Sequence, residues 1–317
     1  MDIITLGETM VLFTPDKTGM LRYMEQFSAQ IGGSESNVAI GLVRLGHKVG
    51  WISKLGNDEF GWKIFQYLRG EGIDLSQVQF EKNFPTGIYF KEMLNSEEVR
   101  VQYYRSDSAA KQLQPNDLSE KYIASAKYLH ITGITPLLSD NCYKTIMEAI
   151  EIARNNNVKV VFDPNLRKKL CSKSNSKDIL LEISAKADII LPGQAEGEFL
   201  TGETTPESMA KSLNKNGSTI VIVKLGENGA YYATEDYEGF VPAHPVKQVI
   251  DPVGAGDGFA AGILSGLLDG LNIKKSVQRG TVIGSLVTMV QGDIEGLPDR
   301  ARLERITNQS KIDDVIR

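Results

Sequence analysis

The sequence is poor in the residues that staple or metallate a fold. Two cysteines, Cys142 and Cys171, stand in 317 residues. They are too few to cross-link a chain of this size, and a reduced, cytoplasmic setting is the simplest expectation. Three histidines (His47, His130, His244) lie far apart, and no Cys or His pair has metal-ligand spacing, which argues against a zinc enzyme. No apolar run approaches the roughly 20 residues that cross a bilayer. The opening MDIITLGETM reads as a strand with an acidic second residue, unlike a leader peptide. Positive charge is not in surplus: 35 Lys and Arg face 40 Asp and Glu, for a net charge of -5. Gripping nucleic acid or anionic membrane needs the opposite balance, so neither is expected as a partner. Internal repeats and proline-rich linkers are also missing.

What is present is ordinary for a globular chain, with 41% hydrophobic and 24% charged residues. The length suggests about two structural units. With no linker to tether a second unit, the expectation is one domain over residues 1–317, carrying an appendage built from insertions.

Short β-rich runs alternate with segments of helical period. The clearest runs are Ile3–Leu6, Val49–Ser53, Tyr128–Ile131, Val158–Phe162, Asp188–Leu191 and Thr219–Lys224. Helical patterns cover Ser36–Leu45, Asn141–Ala153, Gln194–Leu200, Ala255–Leu268 and Lys274–Val290. That rhythm predicts an α/β fold, with a mainly parallel sheet between two layers of helices. Residues Thr86–Arg105 break it with two strand patterns, TGIYFKEML and VRVQYYR, joined through Asn95-Ser96-Glu97-Glu98. With Val11–Phe13 and the stretch near Leu21–Phe27, they form either a small antiparallel lid sheet or an ordinary edge hairpin.

The most informative segment is DPVGAGDGFAAG, from Asp251 to Gly262. Phe259 stands where a dinucleotide fingerprint needs its third glycine, and no GK[ST] follows, so neither the Rossmann nor the Walker form is met. This weakens a nicotinamide dehydrogenase reading. What remains is a glycine-rich turn entering a helix, whose first amides and positive dipole end make an anion hole. Asp257, just inside that helix, is either a capping residue or a base. A second glycine turn, Ile31-Gly-Gly-Ser-Glu-Ser-Asn37, also enters a helix, and Gly33 permits close backbone approach to a small ligand.

Together these segments carry a resemblance. GGSESNVA, with RLG and LGND downstream, resembles the first signature of the ribokinase-like (PfkB) sugar kinases, and DPVGAGDGFAAG resembles their second. The resemblance implies a three-layer α/β/α domain with a β-lid from insertions at about 10–28 and 86–105. It further implies ATP as phosphoryl donor, Mg²⁺, Asp257 as base, and Gly254, Ala255 and Gly256 as the anion hole. VKLGENGA, with Lys224, Gly226 and Gly229, resembles the family's strand and turn under the nucleotide phosphates. Gly193-Gln-Ala-Glu196 stands where the family has Asn-x-x-Glu, so Glu196 is implied in an indirect metal role and Gly193 has lost the amide side chain. Asp251-Pro-Val replaces Asp-Thr-Thr beside the family's monovalent-cation site, and losing both hydroxyls puts potassium activation in question.

The acceptor is read from two arginines. Strand alternation gives Val99, Val101, Tyr103 and Arg105 one face. Arg167 follows FDPNL, at the end of a central strand where open α/β sheets bind ligands. Two guanidiniums suit a carboxylate, which each can bind bidentately. Either arginine alone could equally be solvated or paired with an acid. YYRSDSAA, FDPNLRK and GDIEGLP resemble the 2-keto-3-deoxygluconate kinases of the family more than its fructokinases or ribokinases. That implies a sugar-acid site of Gly33, Tyr89, Tyr103, Tyr104, Arg105, Arg167, Asp257 and Asp293. Asn165 and Arg167 could also face the nucleotide. The exposed edges of such a lid imply a homo-oligomer. The rivals are another sugar kinase of this fold, fructokinase above all, and a non-catalytic sugar or nucleotide sensor.

Overall fold

The computed structural model describes residues 1–94, 98–167, 170 and 175–307. The expected hairpin connection at Asn95-Ser96-Glu97 and the thiol of Cys171 fall outside the described residues.

The strands begin with β1 (Ile3–Leu6), β2 (Met10–Pro15), β3 (Phe27–Gly32), β4 (Val49–Gly56) and β5 (Asp74–Glu81). Next come β6 (Ile88–Met93), β7 (Val99–Tyr104), β8 (Tyr128–Thr132) and β9 (Lys159–Asp163). β10 (Ile189–Ile190), β11 (Ile220–Lys224), β12 (Ala230–Ala233) and β13 (Glu238–Val241) follow. The helices are α1 (Ser34–Arg44), α2 (Glu59–Glu71), α3 (Glu120–Ile123), α4 (Asp140–Asn155) and α5 (Ser176–Lys186). After them come α6 (Gln194–Thr201), α7 (Pro206–Lys215), α8 (Ala255–Leu268), α9 (Ile273–Val287) and α10 (Arg300–Thr307).

The large sheet runs β13-β12-β11-β10-β9-β8-β1-β4-β5. It is parallel except where β12 pairs antiparallel with both β11 and β13. From β1 the chain moves out through β4 and β5, then returns to β8 on the other side of β1. That reversal opens a crevice at the carboxyl ends of the central strands. Both faces of the sheet are covered, as its continuous apolar strands require. Ile3 of β1 packs with Leu42, Ile263 and Val287 on the α1–α8–α9 side. Its neighbour Ile4 packs with Ile146, Leu180 and Leu213 on the α4–α5–α7 side. Helices α8 and α9 approach closely because of glycine: a Cβ on Gly262 would lie 2.7 Å from Gly280 Cα.

The lid is a separate sheet, not an edge hairpin, in the order β3-β2-β6-β7. Two readings of it need correction. The central β2–β6 pairing is parallel, because the two strands enter the lid from the same side of the domain. The region near Leu21–Phe27 is a 3₁₀ turn at Leu21–Tyr23, and the strand starts only at Phe27. It then runs through Gly32, paired with Met10, straight into α1. The lid and the first glycine turn are therefore one continuous piece of chain.

Candidate active site

The second glycine turn does what its residues dictate. Gly254 caps α8 with φ +83°, and a Cβ there would lie 2.4 Å from the Asp293 carbonyl oxygen. No side chain caps α8. Gly254 thus lines the crevice at the positive end of the α8 dipole. Asp257, in the first turn of α8, is 8% exposed. Its Oδ1 accepts from Ser34 Oγ at 2.5 Å and its Oδ2 from Asn37 Nδ2 at 2.8 Å. Burial raises this carboxyl above its ordinary value, against the pull of Ser34, Asn37 and Arg167. Asn165, at φ +41°, donates to Ser34 Oγ at 2.7 Å. It thus supports the carboxylate through the serine.

Beside Asp257 lies a cavity of about 150 Å³. Gly33 forms part of its wall, and a Cβ there would lie 2.4 Å from the backbone oxygen of Glu8. The inner face of the lid supplies Tyr89 and Lys91 from β6, and Val101 and Tyr103 from β7. The Tyr89 and Tyr103 rings lie 5.6 Å apart, and the Arg105 guanidinium sits 5.0 Å over Tyr103. Arg167 reaches the same cavity from the loop after β9. The expected cluster of Tyr89, Tyr103, Arg105, Arg167, Asp257 and Asp293 is brought together.

Tyr104 is not. It points to the outer face of the lid, 58% exposed, with its ring edge-on to Phe90 at 5.8 Å. Alternation decides this, because the neighbour of an inward Tyr103 must face outward. Arg105 is also not a free cation. Its Nη1 lies 3.3 Å from Glu8 Oε2, while its Nη2 is buried without a hydrogen-bond partner.

Asp293 sits on the cavity wall and accepts from the Tyr89 hydroxyl at 3.1 Å. Lys91, 1% exposed, reaches Asp251 at 2.8 Å and Asp293 at 3.2 Å. Burial presses the Lys91 ammonium down, but the two carboxylates outweigh it and hold the group above its ordinary value.

On the other side of the turn, Lys224 ends β11 and grips both oxygens of Asp163, at 2.7 and 2.9 Å. Burial pushes Asp163 up to about 6 while Lys224 pulls against it. Burial likewise works against the Lys224 charge, but Asp163 and Glu196 hold that ammonium above its ordinary value, so the pair is ionic at neutral pH. The Lys224 ammonium lies 3.8 Å from where a Gly256 Cβ would stand. Glu196 caps α6: its oxygens accept from Gly193 N at 2.6 Å and from Leu166 N at 2.8 Å. It therefore fixes the Asn165–Arg167 loop, and Gly193 contributes its amide. Gly226 and Gly229 shape the β11–β12 turn with φ +58° and +107°.

Sequence reasoning did not single out Ser34, Glu8, Lys91 or Asp163. Lys91 had a signal, two residues from Tyr89 on the same strand face, and Glu8 and Asp163 stand at the carboxyl ends of central strands. Ser34 had none beyond its place in the glycine turn.

Residues 1–300 match the profile of the pfkB family carbohydrate kinases. The chain belongs to that family. Two curated relatives illustrate the range of sugars within reach of similar sequences. The 2-dehydro-3-deoxygluconokinase of Bacillus subtilis (strain 168) is 41% identical over 99% of both chains. Fructokinase-1 of Zea mays is 30% identical over 97% of this chain and 98% of its own. Among solved structures, a candidate ribokinase II from E. coli in complex with ATP and Mg²⁺ superposes with a TM-score of 0.90. It is 25% identical over 96% of this chain and 98% of its own. This PfkB-family kinase has no described helix long and apolar enough to cross a membrane.

Proposed function

We propose that this kinase transfers the γ-phosphoryl group of ATP to the 6-hydroxyl of 2-keto-3-deoxygluconate, giving 2-keto-3-deoxy-6-phosphogluconate. The observation that carries the reading is the pair of guanidiniums, Arg105 and Arg167, lining one cavity with Asp257. The buried, unpaired Nη2 of Arg105 is a donor that a substrate carboxylate would satisfy. The 41% identity to a 2-dehydro-3-deoxygluconokinase supports the same acceptor.

In this reading Arg105 and Arg167 hold the carboxylate end, aided by the Tyr89 and Tyr103 rings, and direct the far hydroxyl toward Asp257. Asp257 takes the hydroxyl proton as the oxygen bonds to the γ-phosphorus and ADP leaves. Ser34 and Asn37 keep the carboxylate aimed. The 254–256 amides receive charge on the phosphoryl oxygens. The loose transition state asks mainly for such positioning and electrostatics. Among the described residues no three Asp, Glu, His or Cys side chains gather to hold a metal by themselves. A magnesium ion held mostly by phosphates and water suits that arrangement, with Glu196 and Asp163 the nearby carboxylates. When bound, it would neutralise phosphate charge.

The aromatic outer lid face, with Phe13 stacked on Phe90 at 5.0 Å and Tyr104 exposed, supports a homo-oligomer formed through the lid. We place the enzyme in the cytoplasm, where ATP is available.

A coupled assay of ADP release with 2-keto-3-deoxygluconate, fructose and ribose tests the function. A kcat/KM highest for the keto acid is expected. A preference for fructose would replace the reading with fructokinase, and no turnover of any sugar would favour a sensor.

A further inference from the structure

Lys91 buries a full positive charge at a point where three segments of the site meet. It comes from β6 in the lid, and its two partners flank the anion turn. Asp251 begins the turn: its Oδ1 accepts from Val253 N at 3.1 Å and its Oδ2 from Gly292 N at 3.2 Å. Asp293 follows Gly292, and its carbonyl oxygen lies directly against Gly254. The other oxygen of its carboxylate faces the Tyr89 hydroxyl on the cavity wall. One ammonium therefore ties together the lid, the turn that receives the phosphoryl group and the wall of the sugar cavity.

The electrostatics make this tie necessary. Asp251, Asp257 and Asp293 put three carboxylates around a place where an anionic phosphoryl group must sit. Two of them touch Lys91, which halves their combined charge. Without it they would repel each other and the incoming phosphoryl group across a site of low dielectric. Replacing Lys91 alone would leave two buried carboxylates uncompensated, which costs stability whatever the residue does in the reaction, so its role must be read from turnover in folded variants.

We propose that the Lys91 ammonium is the internal cation of this phosphoryl-transfer site. It is a positioning residue that holds Asp251 and Asp293 so that the 254–256 amides keep their aim, and it makes an added monovalent cation unnecessary. The proposal rests on the anion-hole reading of the turn but on no particular sugar. Its test therefore uses whichever of the three sugars the wild-type enzyme phosphorylates fastest.

The experiment compares Lys91→Ala, Lys91→Met and the double variant Lys91→Met/Asp251→Asn, all in the full chain, with folding followed by circular dichroism. The double variant removes one of the two carboxylates that Lys91 neutralises and leaves Asp293 with the Tyr89 hydroxyl, so it carries less uncompensated charge than the single variants and tests the proposal if they unfold. Folded variants are expected to lose about 100-fold in kcat, the scale of removing one preorganised electrostatic group, with the KM for ATP changed less than about threefold. Ethylammonium or propylammonium should restore at least about tenfold to Lys91→Ala, where it can enter the vacated space, and little to Lys91→Met. Wild-type turnover should be equal in potassium and choline salts. A folded double variant with near wild-type kcat would overturn the proposal. So would a Lys91→Ala loss that no amine relieves, or a wild-type enzyme that is inactive in choline.

Discussion

Ser34 hydrogen-bonds Asp257 at 2.5 Å although 223 residues separate them. One turn further along α1, Asn37 takes the other carboxylate oxygen. The two helix starts can meet because α1 and α8 pack through small residues, with a Gly41 Cβ position only 2.9 Å from Ala261 Cβ. The Asp257 carboxylate is thus held by groups from both ends of the chain, and its orientation depends on helix packing as much as on its own turn.

Asp257→Asn keeps the size of the side chain and removes the proton acceptor. We expect kcat to fall by about 10²–10⁴-fold in a folded protein. Ser34→Ala should cost less, about tenfold in kcat, because one hydrogen bond to a charged group is lost while the base remains. Steady-state kinetics with folding checked by circular dichroism measure both. Asp257→Asn activity within tenfold of wild type would rule out the proposed base.

Variants of the two arginines should divide the substrate classes. Arg105→Ala and Arg167→Ala should each raise the KM for a keto acid by about 10–100-fold, the value of a charge-assisted hydrogen bond. A neutral sugar should be affected far less by Arg167→Ala. Arg105→Ala also strips Glu8 of its partner, so some loss for every substrate is expected there. An unchanged KM for the keto acid in both variants would remove the carboxylate clamp.

Tyr104→Ser tests the face assignment. The side chain is on the outer surface of the lid, so KM values should stay within about twofold of wild type, as for other surface changes. If the lid mediates assembly, the same variant should shift the sedimentation coefficient toward the monomer. A marked rise in sugar KM with unchanged assembly would return Tyr104 to the cavity.

Glu35 should make stability depend on pH. It is buried on α1, accepts from Thr132 Oγ at 2.7 Å and Thr135 Oγ at 3.1 Å, and burial pushes its carboxyl up from 4.5 to about 7. Between those values the folded protein keeps a proton that the unfolded chain has released, so stability falls as pH rises through this window and levels off above it. Glu35→Gln should flatten that decline, gaining about 3 kcal/mol relative to wild type between pH 4.5 and pH 8. Urea unfolding at the two pH values measures it, and parallel curves for the two proteins would contradict the account.

Much of this was legible in the residues. Helix Ala255–Leu268 has the predicted bounds, since Gly254 can hold φ +83° and the apolar run ends at Asp269. Strand alternation placed Tyr103 and Arg105 together; the same alternation excludes Tyr104, which the family resemblance had put in the site and the structure turns outward. The Asp188–Leu191 run contains the short β10, whereas the β12–β13 edge was less legible, because a lone Tyr pair carries little periodicity. Glu8, Lys91 and Asp163 read as ordinary strand charges, because a charge declares its role only through its partner.

The sequence by itself determined the two glycine turns, the strand–helix alternation and the family resemblance. Each is set by local backbone freedom and by period. Only the tertiary structure decided which charges are free: it paired Arg105 with Glu8, Lys224 with Asp163, and Lys91 with Asp251 and Asp293. The physical reason is distance. The energy of a buried charge depends on neighbours a few ångströms away, and here those neighbours come from segments up to 202 residues apart.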